Sequence, residues 1–242
     1  MTAQPRRVLL APGYILHHRP YRDTSRILEV LLRDHGRLTL FARGVRGAKP
    51  RFGGVLQPFE PLLLSFQLGR EAGQLTGVES AESLPAVPAG CLMAGFYLNE
   101  LLLKLTTRHD PVPEVFELYR WALAGLRAAG PAEPVLRVFE KRLLEAVGYG
   151  LDLTSEARTG LAVEEQKFYR FRASEGLFPA DGHDMGAVAG SSLIALAREE
   201  LAPGRALEDA RRVLKAALTE RLDGKELTTR RVARALAGAR TR

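Results

Sequence analysis

Four cations stand in a stretch without an acid. Residues 41–54 read FARGVRGAKPRFGG, with Arg43, Arg46, Lys49 and Arg51 among glycines at 44, 47, 53 and 54. Gly and Pro at this density disfavour a helix, so the cations are expected on an exposed loop. The chemistry open to them is charge-assisted hydrogen bonding, because a guanidinium is a rigid fork of donors that matches two oxygens of one phosphate or carboxylate. Two readings are open: a solvated connection whose charge is incidental, or a loop held open for a polyanion. The residues leading in, RLTLFAR (37–43), alternate strictly. Leu38, Leu40 and Ala42 share one face, and Arg37, Thr39, Phe41 and Arg43 share the other, so an aromatic ring stands among cations.

Catalytic chemistry leaves little trace. There is no Gly-x-Ser-x-Gly elbow, no phosphate-binding Gly-Lys-Ser/Thr loop and no dinucleotide fingerprint after a strand. His17 and His18 are neighbours on an expected strand, so they face opposite ways and do not share a metal. Asp181, His183 and Asp184 in DGHDMG read as a turn with incidental polar groups. The single cysteine, Cys91, excludes internal disulfides and a cysteine-cluster metal site, and reads as a small apolar residue on a helix face. No enzyme, cofactor or small-molecule substrate is expected.

The elements that must position the cations fall into two styles. The first eighty residues read as about five short strands, at 13–21, 25–34, 37–43, 61–69 and 73–80, with Gly36 in a tight turn. Such strands suit a small closed barrel, since closure removes adhesive edges. From about residue 84 the apolar spacing becomes helical, with segments at 91–110, 111–130, 131–150, 191–201, 205–222 and 228–239. Leu101 and Trp121 are expected in a helical core. Between these helices, KFYRFRASEGLF (167–178) reads as a short hairpin. The expected class is α+β: a five-stranded closed barrel over 1–82, a helical domain over 83–150 and 189–242, and a small inserted subdomain over 151–188.

Charge follows the same division. The chain of 242 residues carries a net +7. Residues 1–80 hold twelve Lys and Arg against six acids, whereas the remainder holds 23 against 22. The excess therefore lies in the barrel, where it creates a field that draws phosphates or acidic surfaces. A barrel with cations and rings on its outer face suits single strands, with cations neutralising phosphates and rings stacking on bases. No run of ~18 apolar residues occurs, and the apolar patch near the start is too short for a signal peptide, so no membrane span and a cytoplasmic location are expected.

The order of residues adds a resemblance. The run YILHHRPYRDTSRILEVLLRDHGRLTLFARGVRGAKPRFGGVLQPFEPLLL is similar to the start of the bacterial recombinational repair family RecO. Arg43, Gly44, Arg46, Arg51, Phe52, Gly53, Gly54, Leu56, Pro58 and Phe59 fall in step with that family's basic, glycine-rich segment. AGFYLNELLLKL, FELYRWALAGL and RVFEKRLLEAVGYGLDL resemble its helical part. The resemblance implies an oligonucleotide-binding (OB-like) barrel followed by a helical domain, in a protein that binds single- and double-stranded DNA and anneals complementary strands. It also implies work with RecR that helps RecA replace single-strand binding protein on DNA. One departure stands out. Many members carry two Cys-x-x-Cys pairs that hold a structural zinc, whereas the corresponding positions here are Glu156 and Thr159, then Pro179 and Gly182. Pro and Gly side chains cannot ligate, so a metal-free, zinc-finger-like subdomain is expected, held by packing of Phe168, Tyr169, Phe171 and Phe178.

The DNA-binding residues expected from this reading are Arg19, Arg22, Arg37, Phe41, Arg43, Arg46, Lys49 and Arg51, with Phe41 a stacking residue. Phe52 has an equal reading as packing of the loop onto the barrel. Arg26 and Arg33 are expected to pair with Glu29 and Asp34. The carboxy-terminal Arg230, Arg231, Arg234, Arg240 and Arg242 form either a second DNA patch or a solvated helix. The leading rival is a protein adaptor whose basic barrel binds an acidic partner in place of DNA.

Overall fold

A computed structural model describes residues 6–46, 50–52, 54–69, 72–128 and 130–240, with side chains through Ala235. Lys49 and Arg242 lie outside the described residues, as do Gly47 and Gly53 of the basic loop and the side chain of Arg240. The chain divides into two compact units, one ending at Arg127 and the other beginning at Ala128.

The first unit is built around β1 (Arg7–Tyr21). Its amino-terminal half pairs antiparallel with β4 (Leu62–Gln67) and its carboxy-terminal half with β2 (Ser25–Leu32). β2 pairs with β3 (Gly36–Ala42), β3 meets β5 (Gly73–Ser80) in a short parallel contact, and β5 pairs with β4. The result is a closed five-stranded barrel in the order β1-β2-β3-β5-β4. β1 starts earlier than the expected 13–21, because Pro12 and Gly13 read as breakers. They sit where the strand passes from one neighbour to the other. A Cβ on Gly13 would fall 2.6 Å from a Leu32 methyl and 3.1 Å from the Leu31 carbonyl oxygen, so close approach demands glycine there. Register breaks between Val8 and Ala11, and between Ile15 and His17, bend the strand around the closure.

Alternation places Ile15, Leu28, Val30, Leu38, Leu40, Ala42, Leu64 and Phe66 in the barrel core. The opposite face of β1 is covered as well. Tyr14 packs its ring on Phe116 and Tyr119, at centroid distances of 5.4 and 5.1 Å. Those residues belong to α2 (Pro113–Arg127), which follows α1 (Leu92–Leu105). Asn99 on α1 donates to the Leu16 carbonyl at 2.8 Å and accepts from the Tyr119 hydroxyl at 2.5 Å, inside the packed layer. The expected domain boundary near residue 82 therefore marks the end of the barrel, but the compact unit continues through two helices. Leu101 is buried as expected. Trp121 is not: it is 40% exposed, because α2 turns Phe116, Tyr119, Leu123 and Leu126 inward and leaves position 121 on its flank.

The second unit contains α3 (Ala132–Ala146), α4 (Gly190–Arg198), α5 (Arg205–Arg221) and α6 (Thr228–Arg240). A three-stranded sheet sits among them, β6 (Phe168–Arg172), β7 (Gly176–Ala180) and β8 (Val188–Ala189), in the order β7-β6-β8. The expected hairpin is β6–β7, and β8 adds a strand that the hairpin pattern did not signal. Buried Asp209 ties β8 to α5 by accepting from the Ala189 amide at 3.1 Å and from Arg212 at 2.9 Å. Glu199, just past α4, takes Lys141 at 2.9 Å and Arg142 at 2.5 Å from α3.

Glu156, Thr159, Pro179 and Gly182 are engaged within the protein itself. The Glu156 carboxylate accepts from the Thr159 hydroxyl at 2.6 Å, closing its own turn. Gly182 lies under the Phe168 ring, where a Cβ would come within 2.8 Å, and Pro179 sits opposite Tyr169 in the β6–β7 ladder. Tyr169 is fully buried, and its hydroxyl accepts from the Glu164 amide at 3.0 Å. Among the described residues no cluster of three or more His, Cys, Asp or Glu is placed to hold a metal ion, and no helix is long and apolar enough to cross a membrane.

Two outcomes follow from the buried polar contacts. Tyr119→Phe leaves the buried Asn99 carbonyl without its donor and costs ~1–3 kcal/mol of stability, read by denaturant unfolding. The Arg142 hydrogen bond, aided by Lys141, holds the Glu199 carboxyl below its ordinary pKa despite partial burial. A carboxyl depressed in the folded state adds stability above its unfolded pKa and loses it as pH falls through the folded value. Glu199→Gln therefore destabilises at neutral pH and flattens the acid limb of a stability–pH profile, while changing little below both pKa values.

Candidate nucleic-acid interface

Of the expected cations, Arg19, Arg22, Arg43, Arg46 and Arg51 meet at one end of the barrel, where the β1–β2 turn touches the segment leaving β3. Thr24 in the turn accepts the Val45 and Arg46 amides at 2.8 and 3.0 Å through its backbone carbonyl. Val45 and Leu56 are buried in the barrel core, and Phe52 packs partly against it. Arg51 donates its backbone amide to Gly44 at 2.7 Å, and its guanidinium lies 4.7 Å from the Phe52 ring. The described part of the glycine-rich segment is thus pinned by apolar plugs and backbone hydrogen bonds. Phe52 takes its packing reading.

Arg19, Arg22, Arg43, Arg46 and Arg51 are all exposed. Among the described residues none of the five is ion-paired. Arg46 donates to the Arg22 carbonyl at 3.4 Å and Arg51 to the Thr76 carbonyl at 2.8 Å. These contacts orient the side chains and leave charge and further donors facing water. Strand register supplies the rest of the surface. Arg19 lies opposite Ile27, Ile27 opposite Phe41 and Phe41 beside Gln74, so one row runs across four strands on the outer face. Phe41 is half-buried and meets Tyr21, at the end of β1, with ring centroids 5.4 Å apart. Tyr21 is a residue that the sequence pattern did not single out. The available signal was its position two residues beyond Arg19, on the same outward face.

Arg37 is a correction. Its side chain is only 12% exposed and pairs with Glu29 at 3.2 Å. It also donates to the Thr106 hydroxyl and carbonyl at 3.3 and 2.8 Å. Glu29 further accepts Arg108 at 2.6 Å and the Thr39 hydroxyl at 2.7 Å. Arg37 lies on the predicted outer face, but the loop after α1 folds over that part of the sheet and takes it into an ion-paired strap. Burial lowers the Arg37 pKa, with Glu29 opposing. Glu29 is thereby committed to Arg37 and Arg108 instead of Arg26, while Arg33 pairs with Asp34 at 3.2 Å as expected. Arg26 sits at the inner rim of the barrel end, close enough that, after burial itself, it helps to push the His18 pKa down.

The carboxy-terminal arginines divide similarly within their own unit. Arg230 approaches the buried Glu140 carboxylate at 3.8 Å, and Arg234 pairs with Glu226. Among the described residues Arg231 is exposed without an ion pair. The expected patch of Arg230, Arg231 and Arg234 is thus not a cluster of free cations, because the helix directs two of the three at carboxylates.

Arg37→Ala is expected to cost ~1–3 kcal/mol by thermal or denaturant unfolding, since it removes one ion-pair partner of Glu29 and both hydrogen bonds to Thr106. Arg43→Ala is expected to change stability by less than ~0.5 kcal/mol. For affinity toward an oligonucleotide the order reverses, with Arg43→Ala weakening it and folded Arg37→Ala leaving it unchanged.

Comparison with known proteins adds an independent line. The profile of the family described as "Recombination protein O N terminal" matches residues 7–84, and that of "Recombination protein O C terminal" matches residues 91–231. The chain is 40% identical over 230 residues to a DNA repair protein RecO of Methylococcus capsulatus, covering 95% of each chain. It is 42% identical over 236 residues to one of Alkalilimnicola ehrlichii, covering 96% of this chain and 93% of that one. A third, of Nitrosococcus oceani, is 40% identical over 226 residues, covering 93% of this chain and 92% of its own.

Proposed function

The chain belongs to the recombination protein O family of DNA repair proteins, and from that premise we propose that it acts without catalysis as a recombinational repair mediator. In this reading it binds single- and double-stranded DNA, anneals complementary strands and, with RecR, helps load RecA onto strands covered by single-strand binding protein. The observation that carries the DNA contact is the group of exposed arginines at the barrel end, Arg19, Arg22, Arg43, Arg46 and Arg51, which have no carboxylate partner among the described residues.

Annealing requires a strand to be held while its base edges stay free to pair. Guanidinium contacts to phosphates do this, since they position the backbone without reading sequence. Little sequence preference and strong salt sensitivity follow, because each neutralised phosphate releases counterions. Arg46 and Arg51 are already oriented by backbone carbonyls, so fewer rotamers are lost when a phosphate arrives. The same field also attracts acidic protein surfaces. Competition between an oligonucleotide and RecR distinguishes a shared surface from separate ones.

The test is a titration of labelled single strand at several salt concentrations, using wild type and a variant with Arg43, Arg46, Lys49 and Arg51 changed to Glu. The variant is expected to bind at least ~tenfold more weakly, with a log–log salt slope shallower by up to ~3, at about 0.7 per lost single-strand phosphate contact. Far-UV circular dichroism checks that it is folded. A folded variant with unchanged affinity and slope moves the DNA surface away from this end of the barrel.

A further inference from the structure

The cations at the barrel end do not distinguish a single strand from a duplex, because both present phosphates. The rings beside them offer the distinction. Tyr21 is the last residue of β1 and 37% exposed, and its ring meets Phe41 at an interplanar angle of 58°. The two residues lie on strands separated by β2. Tyr21 is opposite Ser25, and Phe41 is opposite Ile27. Serine is small enough for the rings to touch above it. Gln74 anchors Phe41 from the other side, donating to its carbonyl at 2.9 Å.

Arg22 completes the arrangement. It adopts a left-handed backbone with φ 51°, a region that non-glycine residues seldom occupy. The reversal carries its guanidinium back to 5.3 Å from the Tyr21 ring centroid. The turn is held in that shape by the Thr24 carbonyl, which takes two amides of the facing segment, and by Arg46 on the Arg22 carbonyl. Such strain in a turn that packs little of its own surface points to use at the surface.

We propose that Tyr21 and Phe41 form a base-stacking platform that gives this end of the barrel its preference for single-stranded over duplex DNA. The proposal rests on the reading of the barrel end as the DNA surface. A duplex keeps its bases stacked in its interior and offers only phosphates. An unpaired base lies on the Tyr21 ring in place of the loosely set Arg22 guanidinium, which passes to the flanking phosphate. Stacking is tolerant of base identity, so it adds strand selectivity without sequence selectivity.

The experiment compares binding of one fluorescent single strand and its duplex to wild type, Tyr21→Ala, Tyr21→Leu and Tyr21→Phe, again with a salt series. Tyr21→Ala and Tyr21→Leu are expected to lose ~tenfold or more on the single strand, within the usual worth of one stacked base, and to leave duplex affinity unchanged. Tyr21→Phe retains wild-type binding. The salt slope stays constant throughout, because a ring releases no counterions. Tyr21→Leu keeps apolar cover over Phe41, so the comparison holds even if the alanine variant fails to fold. Equal losses on both DNA forms, or none on the single strand, reject the platform, while weakened binding by the four-Glu variant upholds the DNA surface. Absence of wild-type binding to either form rejects both.

Discussion

The structure of the first unit depends on one strand being shared. β1 gives its backbone to β4 along one half and to β2 along the other, and it is covered on both faces, by Ile15 inward and by Tyr14 and Leu16 outward. A strand buried on two sides must satisfy its backbone groups internally, and the closed ladder does so with Asn99 taking the Leu16 carbonyl and the Ser65 hydroxyl the Leu10 amide at the register breaks. Closure has a second effect. It brings the end of β1, the β1–β2 turn and the segment after β3 to one rim, although Arg19 and Arg51 are far apart in sequence. The register break after Ile15 sets which residues face outward there, so Arg19 and Tyr21 share a face with Phe41.

Charge is sorted by carboxylates more than by arginines. The amino-terminal third has twice as many cations as acids, but Glu29 and Asp34 absorb Arg37, Arg108 and Arg33. Arg19, Arg22, Arg43, Arg46 and Arg51, without an ion pair among the described residues, gather at one rim of the barrel. A guanidinium already satisfied by a half-buried glutamate would have to give up that bond before meeting a phosphate, whereas a solvated one gives up only water. Arg37 therefore serves cohesion of the unit and Arg43 remains available to a ligand, though the two share a face of the same strand in the sequence pattern. The same sorting operates in the second unit, where Arg230 and Arg234 turn to Glu140 and Glu226.

The small β-subdomain of the second unit is held by side chains of its own and of α5. A Glu156–Thr159 hydrogen bond closes one turn, and the Phe168 ring fills the space above Gly182. Buried Tyr169 binds the Glu164 amide, and Asp209 fastens β8 to α5. Arg205 over Phe168 and Arg172 over Phe178 cover the outer rings. Local turn hydrogen bonds, ring packing and one buried carboxylate thus fix the chain there.

Local pattern alone carried much of this molecule. Strict alternation at 37–43 reappears as strict alternation of burial along β3, the glycine of the DHG turn takes positive φ, and helical spacing from residue 91 onward appears as α1 to α3. The order of residues around RFGG was sufficient to indicate the family. These features are legible because backbone periodicity and turn chemistry depend on near neighbours. Pairing across the fold was not legible. Arg37 and Arg43 are equivalent by alternation, and only the loop after α1 folding over the sheet separates them. Tyr21 became significant only when Ser25 let it reach Phe41 across a strand, and Trp121 left the core because of which side α2 presents to β1. Periodicity states which face a side chain takes; what covers that face is set by segments distant in sequence, and that is where the tertiary structure decided.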